Sequence, residues 1–547
     1  MNPKISLNRA GFARRLDSPS VELFFCLVLF SIPVIIAFAH GIDRPFHQEP
    51  DAGINWVYQT LLVTEGPRQT SWDHPAYVHL LLMGAWYLVL DGIGILSAST
   101  LSEVQAAPSL RDAFVDLIVA GRVFSGIFVG LMAVMFYTGL RNLAGRRVVA
   151  VVASLFLVFT TGFVEQTIRI HTELFSALFT YASFFLVLAA ARNLGWRGFL
   201  WLALAATSAT LAMLAKMQAL PLLLALPLVA LLVGGRTPVA WADPIAREST
   251  GKVLVVATAC LAISVIAMAM MMAQMTVLDQ TPRFVSARVF QAAMAAYLLL
   301  AMVLYSLSYR PHWKPFILGP CALAAGISIG LYFLFISHYP KLFQIVVNYV
   351  DHMAGYSFIA NMSFQDSQGA SSDIVVAIAQ TVLDNLRSAL HRSFLVFSEE
   401  RINLIAPLYW SLGLGALAVL GLGKWRLAAQ LFLFLAIALG MEAFCRLRSF
   451  AGWYYVYVEP WIIIGNVQLG SFILERVSTD SRKAAYRYVF IGVSVFWLLA
   501  LPGSLLGAFE DRRYTLEASY CGDNYSRAPR LPGLVCFDSD SLWGCPS

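Results

Sequence analysis

The sequence predicts an all-α polytopic membrane protein. Of its 547 residues, 59% are hydrophobic and only 13% are charged, whereas soluble domains carry about 25% charged residues. The mean hydropathy is +0.70. Apolar runs recur whose length, about 18 to 25 residues, suits a helix that crosses the bilayer core. We predict about 13 spans, at 21–40, 114–140, 148–165, 173–191, 198–215, 217–234, 253–275, 286–308, 316–337, 404–423, 427–444, 453–474 and 487–508.

The apolar run 76–97 is ambiguous, because it contains His79 and Asp91 and ends in glycines. The positive-inside rule decides the case. If this run does not cross, every predicted cytoplasmic loop is basic, and the chain starts in the cytoplasm and ends outside. The formal charge of +6 then reflects topology and does not indicate a nucleic-acid partner. The loop residues concerned are Arg141, Arg146, Arg147, Arg192, Arg197, Arg236, Arg247, Lys252, Arg310, Lys314, Lys424, Arg426, Arg476, Arg482, Lys483 and Arg487.

This topology divides the chain into two transmembrane modules and a tail. The first module, 1–235, contains a large first outer loop at 41–113, and the second, 236–508, contains a large outer loop at 338–403. The tail, 509–547, carries three cysteines. If the tail lies outside the cell, two of them can form a disulfide and one stays unpaired, but the sequence does not assign the pair. The three cysteines are Cys521, Cys536 and Cys545.

The first outer loop contains a segment with helical periodicity at 52–65. Apolar residues recur every three or four positions, and Asn55, Gln59 and Thr60 lie on the opposite side. Such a helix should lie flat at the membrane surface. The apolar stripe comprises Ile54, Val57, Tyr58, Leu61 and Leu62.

Acidic residues directly before this helix are the candidates for catalysis. Asp51 follows Pro50 and suits a helix N-cap. A carboxylate there can also act as a general base that takes the proton of an attacking hydroxyl, and the two roles are compatible. Glu49 is the competing base.

Basic residues predicted on the outer side are candidates for binding a phosphate. Lys216 lies between two apolar runs, where it either snorkels to the interface or pairs with a lipid-linked phosphate. Arg446 and Arg448 break the positive-inside pattern, and an anion would explain them. Tyr454 and Tyr455 follow, although an aromatic belt explains these two residues alone.

Two further groups complete the candidate residues. Arg169, His171 and Glu173 occupy the short second outer loop, where they are either solvated charges or part of a site. Asp73 and His74 precede Pro75, and a proline in this position is typical of the first turn of a helix. The Asp-His pair either belongs to that helix start alone or also orients a phosphate or binds a metal. Such a divalent metal would take a further ligand from the second large loop, at Asp351 or His352.

The order of these motifs resembles that of the GT-C superfamily of membrane glycosyltransferases, such as aminoarabinose transferases of lipid A and protein O-mannosyltransferases. The resemblance covers 20–235 best. It departs from the family's pattern at Ala52, where members of the family often have a glutamate after the aspartate. The matching pieces are Glu49-Pro-Asp-Ala52 with the helix that ends at Gly66, Asp73-His-Pro-Ala-Tyr77, Arg122, Gly145-Arg-Arg147, Glu173, Leu214-Ala-Lys216, Asp351-His352, and Arg448 with Tyr454 and Tyr455.

The resemblance implies an inverting transfer in which an acceptor hydroxyl attacks the sugar and polyprenyl phosphate leaves. The donor would be a polyprenyl-phosphate-linked sugar, and the acceptor a lipid, a glycan or a protein at the outer face of a bacterial inner membrane. Surrounding membrane lipids would complete the list of partners. A transporter or flippase of lipid-linked glycans is one alternative, although charges at mid-depth, which transporters use, are few. An O-antigen polymerase or ligase is another.

Overall fold

The computed structural model describes residues 19–42, 51–66, 76–144, 147–192, 196–216, 249–277, 313–336, 371–394, 405–445 and 452–479, with single residues at 219, 222 and 495. Within these ranges every regular element is a helix, and no strand occurs. The all-α class is therefore confirmed.

The helices follow one another in chain order. They are α1 Pro19–Ile36, which continues as a π-helical turn over Ala37–Gly41; a π-helical turn Asp51–Asn55; α2 Trp56–Thr64; α3 Tyr77–Gly92; α4 Leu101–Ala106; α5 Leu110–Ala144; α6 Arg147–Val158; α7 Thr161–Ile168; α8 Glu173–Arg192; α9 Trp196–Ala215; α10 Thr250–Val277; α11 Trp313–Ser328, with a π-helical end over Ile329–Ile336; α12 Ser371–Phe394; α13 Ala406–Gly421; α14 Trp425–Cys445; a 3₁₀ turn Gly452–Tyr457; and α15 Glu459–Thr479.

Six of the described helices are long and apolar enough to cross a membrane, which is compatible with an integral membrane protein. The pair α6 and α7 forms a seventh if its 59° bend is counted as one broken span. Thirteen spans stay a prediction; the predicted spans 217–234, 286–308 and 487–508 fall almost wholly outside the described residues. The six are Pro19–Gly41, Leu110–Leu143, Glu173–Ala190, Trp196–Ala215, Thr250–Ala267 and Trp425–Cys445.

Helix α3 occupies the ambiguous run. It begins at Tyr77 and has 16 residues, so at 1.5 Å per residue it is about 24 Å long. That is shorter than the roughly 30 Å of hydrocarbon that a spanning helix must cross. The helix packs against α2 and α5 instead, which agrees with the non-crossing interpretation.

Helix α2 confirms the helical periodicity of the first outer loop, but its polar stripe is buried as well. Asn55, Gln59 and Thr60 are all buried, because α3, α4 and α5 pack around this helix. Their polar groups are satisfied within the helix: Gln59 Nε2 donates to Asn55 Oδ1 at 3.3 Å, and Thr60 Oγ1 to the Trp56 carbonyl at 2.8 Å. That the helix lies flat at the membrane surface stays a prediction.

Hydrogen bonds join the ends of α2, α3 and α4 into one unit. Ser102 donates from its backbone N–H and its hydroxyl to Glu65 at the end of α2. Ser99 Oγ donates to Asp91 Oδ2 of α3 at 3.0 Å. Glu103 completes a capping box at the start of α4. These bonds fix the positions of the three helices relative to one another.

Candidate functional site

An ion pair lies where α8 begins and α9 ends. These helices are antiparallel neighbours, so Glu173, the first residue of α8, meets Lys216, which directly follows α9. Lys216 Nζ is 2.7 Å from Glu173 Oε1, and their side chains are 5% and 3% exposed. Lys216 Nζ also donates to Thr172 Oγ1 at 3.5 Å. Two residues predicted for the site are therefore in direct contact.

The loop between α7 and α8 is buried against this pair. Arg169 Nη1 lies 2.8 Å from Glu165 Oε2 of α7, and His171 Nδ1 lies 4.0 Å from Glu173 Oε2. Arg169, His171 and Glu173 are all buried, so the alternative that they are solvated loop charges is wrong. The structure thus brings His171 and Glu173 together with Lys216, and it pairs Arg169 of the same loop with Glu165.

Ser176 fixes the two helices at the site. Its hydroxyl, one turn into α8, donates to the carbonyls of Ala212 and Lys216 at 3.0 and 3.2 Å. A hydroxyl can bridge two acceptors as a bifurcated donor. The bond holds the end of α9 against the start of α8 and so keeps the ammonium next to the carboxylate.

The first outer loop leaves the bundle beside the Arg169 loop. Arg122 Nη1 of α5 donates to the carbonyls of Gly41 and Ile42 at 2.9 and 3.3 Å. A Cβ at Gly41 would lie 3.3 Å from the Cα of Ile168, the residue before Arg169. A side chain at position 41 would require the Ile168 backbone to shift by a few tenths of an ångström. Gly41 therefore permits the close approach of the two segments.

The candidate bases fall at the edge of what the structure describes. Asp51 begins the π-helical turn that leads into α2, but the described features of this residue are those of its backbone alone. Glu49, Asp73 and His74 lie outside the described residues. Their roles stay predictions.

The 3₁₀ turn between α14 and α15 packs on α7, α8 and α14. It carries Tyr454, which is buried, and Tyr455, which is half-buried. Tyr181 of α8 donates its hydroxyl to the Tyr457 carbonyl at 3.0 Å. Both predicted tyrosines thus lie at the end of the bundle that holds the Lys216–Glu173 pair. Arg446 and Arg448 lie outside the described residues.

Sequence reasoning missed Glu459, a buried carboxylate at the start of α15. Its Oε2 accepts the backbone N–H of Gly162 at 2.9 Å and thereby caps α7 at the bend between α6 and α7. A Cβ at Gly162 would overlap the backbone of Tyr455 and Val456. The sequence feature that could have identified it is a single glutamate in an apolar stretch, directly before Pro460. Glu459 connects α15 to the helix that presents Arg169.

Sequence reasoning treated His79 only as a polar interruption of an apolar run. Its ring is fully buried in α3, with the rings of Phe175, Phe124 and Trp56 at centroid distances of 5.0, 6.1 and 6.4 Å. Burial lowers the pKa of His79 to about 3, although the negative charge of Glu173 opposes this shift. The ring is therefore neutral at physiological pH.

The described residues hold no ready-made metal centre. Within the described ranges, no three His, Cys, Asp or Glu side chains come together as a metal ion requires. The predicted ligands Asp73 and His352, together with Asp351, lie outside those ranges, so the divalent metal stays a prediction.

Comparisons with known proteins give no match. No protein-family model, no curated protein and no solved structure matches this chain. The resemblance stated above therefore rests on the residues of the chain alone.

Proposed function

We propose that this chain is an inverting glycosyltransferase of the GT-C type. It moves a sugar from a polyprenyl-phosphate donor to a lipid, glycan or protein acceptor at the outer face of a membrane. Asp51 is the base, with Glu49 as its alternative. Lys216, Arg446, Arg448 and Arg169 bind the donor phosphate, and the remaining site residues contact the substrate. The last group comprises His171, Glu173, His74, Tyr454 and Tyr455.

The observation that carries the proposal is the buried Lys216–Glu173 pair, which lies 2.7 Å apart at one end of the bundle. A buried ion pair is weak evidence for stability, because its desolvation offsets most of its attraction. A lysine at the end of a membrane helix usually snorkels to the interface, but the Lys216 side chain is buried, and buried ionisable groups of membrane proteins commonly have a function. Glu173 holds the Lys216 ammonium in one place, as a fixed cation for a phosphate must be held.

Lys216 keeps hydrogen-bonding capacity for a phosphate. An ammonium has three N–H donors, and its described contacts, with Glu173 and Thr172, use two of them. A third donor suits a phosphate oxygen, whose negative charge grows as the sugar leaves. Fixed donors aimed at developing charge are usually the largest single contribution to catalysis.

The formal charges of Glu165, Arg169, Glu173 and Lys216 sum to zero, so binding of a phosphate needs further cations. Arg446 and Arg448 meet this need. Arg446 directly follows Cys445, the buried last residue of α14, and the charges of both Glu173 and Lys216 act on that cysteine. The chain thus carries two arginines, one and three residues after Cys445.

The proposed base belongs to a segment that packs towards the same site. The turn that begins at Asp51 leads into α2, where Trp56 contacts His79. His79 in turn contacts Phe175, two residues after Glu173. A carboxylate within hydrogen-bond reach of an acceptor hydroxyl would serve as its general base.

The test uses the purified chain in lipid nanodiscs. It is supplied with polyprenyl-phosphate-linked pentoses and hexoses and with lipid, glycan and peptide acceptors, and the release of polyprenyl phosphate is measured. We expect release with at least one donor and its loss in Asp51→Asn. Arg197→Gln, in the first turn of α9 at the end opposite Lys216, is the matched control and keeps full activity. If wild type releases no polyprenyl phosphate from any donor, the proposal fails.

The same experiment separates the alternatives. A transporter or flippase moves the intact lipid-linked sugar across the membrane and does not cleave the bond between the sugar and the phosphate. A polymerase or ligase that depends on outer-loop arginines and histidines retains its activity in Asp51→Asn.

A further inference from the structure

His79 is a polar residue in an apolar environment. Its side chain is fully buried, and neither Nδ1 nor Nε2 has a hydrogen-bond partner among the residues that the structure describes. More than nine in ten buried polar groups are hydrogen-bonded, and each exception in a native protein requires an explanation.

Packing alone does not explain a histidine at this position. The three rings around it approach edge-on, with interplanar angles of 63° to Trp56, 88° to Phe124 and 87° to Phe175. A phenylalanine would make the same contacts without burying two unsatisfied nitrogens, and replacing an unsatisfied polar group with an apolar group of similar shape is neutral or stabilising. The histidine is therefore unfavourable for stability in the conformation described.

His79 contacts two residues that are close in sequence to the two parts of the proposed site. On one side Phe175 is two residues from Glu173, whose charge acts on the imidazole. On the other side Trp56 is five residues from Asp51, at the end of the turn that Asp51 begins. In the proposed function, the donor sugar occupies the space between the phosphate-binding cations and the base.

The chemistry of this position selects the ligand group. A neutral imidazole offers one donor and one acceptor, and a hydroxyl offers the same two. A charged group such as the phosphate is excluded, because the surrounding aromatic rings do not compensate for its desolvation. Binding sites for small molecules commonly combine aromatic walls with a few polar groups that fix orientation.

We propose that His79 hydrogen-bonds a hydroxyl of the donor sugar and so helps to determine which sugar is accepted. This inference rests on the proposed function. Because the ring is fully buried, α2 and α3 shift away from Phe124 and Phe175 when the sugar enters. The sugar hydroxyl then satisfies the nitrogen atoms that lack a partner without it.

The test compares two substitutions on the same helix. His79→Phe removes the polar group from the proposed sugar site. Tyr87→Phe is the matched control: the Tyr87 hydroxyl is also buried without a hydrogen-bond partner among the described residues, but it faces Gly121 and Ile170 two turns further along α3. Thermal unfolding and the kcat and KM for the donor are measured in nanodiscs with the polyprenyl-phosphate sugar that wild type uses fastest.

We expect both variants to unfold at a higher temperature than wild type. His79→Phe should raise the KM for the donor at least tenfold, the change that corresponds to about 1.4 kcal/mol, whereas Tyr87→Phe leaves it unchanged. His79→Gln, which keeps a donor and an acceptor, recovers part of the affinity. For the deoxy-sugar donor that lacks the bound hydroxyl, wild type and His79→Phe become equal.

Two results overturn this inference while the proposed function stands. One is a His79→Phe variant that is more stable but has an unchanged KM, which would make His79 a core residue. The other is a less stable His79→Phe variant, which would mean that the imidazole has a partner within the protein. If wild type transfers no sugar at all, the proposed function and this inference both fail.

Discussion

Lys216 Nζ lies 2.7 Å from Glu173 Oε1, and neither side chain is more than 5% exposed. Each of these two buried charges therefore has the other as an ion-pair partner. Lys216 follows α9 and Glu173 begins α8, so the pair also joins two antiparallel helices.

The stability of the pair can be tested by removing its members singly and together. Lys216→Met leaves the Glu173 carboxylate buried without its partner, so we expect a loss of about 3–5 kcal/mol in the free energy of unfolding. The double variant Lys216→Met/Glu173→Gln buries no charge and should regain most of that loss without regaining sugar transfer. Unfolding of the single and double variants in detergent checks this; a Lys216→Met variant as stable as wild type would contradict it.

The two candidate bases can be distinguished by isosteric amides. Removing a general base costs about 10²–10⁴ in rate, so Asp51→Asn should lower kcat by that factor and leave the KM for the donor near its wild-type value. Glu49→Gln should change kcat by less than about tenfold, because the base is still in place. Steady-state kinetics with the donor decide; the reverse pattern would assign the base to Glu49.

The bend between α6 and α7 depends on a glycine. A Cβ at Gly162 would overlap the backbone of Tyr455 and Val456 and lie 2.8 Å from Glu459 Oε2. We expect Gly162→Ala to lower the free energy of unfolding by about 1–3 kcal/mol, as overpacking does. Gly440→Ala is the control, because nothing lies within 4 Å of a Cβ there in α14. That change should be neutral or stabilise by up to about 1 kcal/mol; equal effects of the two would refute the tight contact.

The cap of α4 should make the first outer loop sensitive to acid. Glu103 Oε2 accepts the N–H groups of Ser99 and Thr100 at 2.8 and 3.0 Å, and these bonds, that of Ser99 above all, lower the pKa of Glu103 below its ordinary 4.5. A pKa lowered by folding stabilises the fold above the unfolded-state value and loses this effect as pH falls through the folded-state value.

Hydrogen exchange of the Ser99 and Thr100 backbone amides, corrected for the intrinsic exchange rate at each pH, measures the strength of this cap. In wild type we expect their protection to fall as the pH drops below 4.5, because the protonated carboxyl accepts these bonds weakly. In Glu103→Gln the protection should be lower at neutral pH and independent of pH. Protection in wild type that is constant across this range would contradict the prediction.

The helices themselves were predictable from short stretches of sequence. The predicted spans 21–40, 173–191 and 198–215 agree with α1, α8 and α9 to within a few residues. The reason is that a long apolar run satisfies its backbone only as a helix when it is removed from water. The position of Lys216 at one end of α9 and of Glu173 at the start of α8 followed from the same pattern.

The environments of single side chains were not predictable. Asn55, Gln59 and Thr60 form a polar stripe, but the next three helices of the chain cover it. Glu459 lies 297 residues from the Gly162 amide that it caps, and no local pattern encodes such a contact.

The sequence by itself determined an α-helical chain in which several helices are long and apolar enough to cross a membrane, because hydropathy acts along the chain. Only the tertiary structure decided that Lys216 pairs with Glu173, that Glu459 caps α7 and that three aromatic rings surround His79. These relationships depend on which helices become neighbours, and that depends on the packing of the whole bundle.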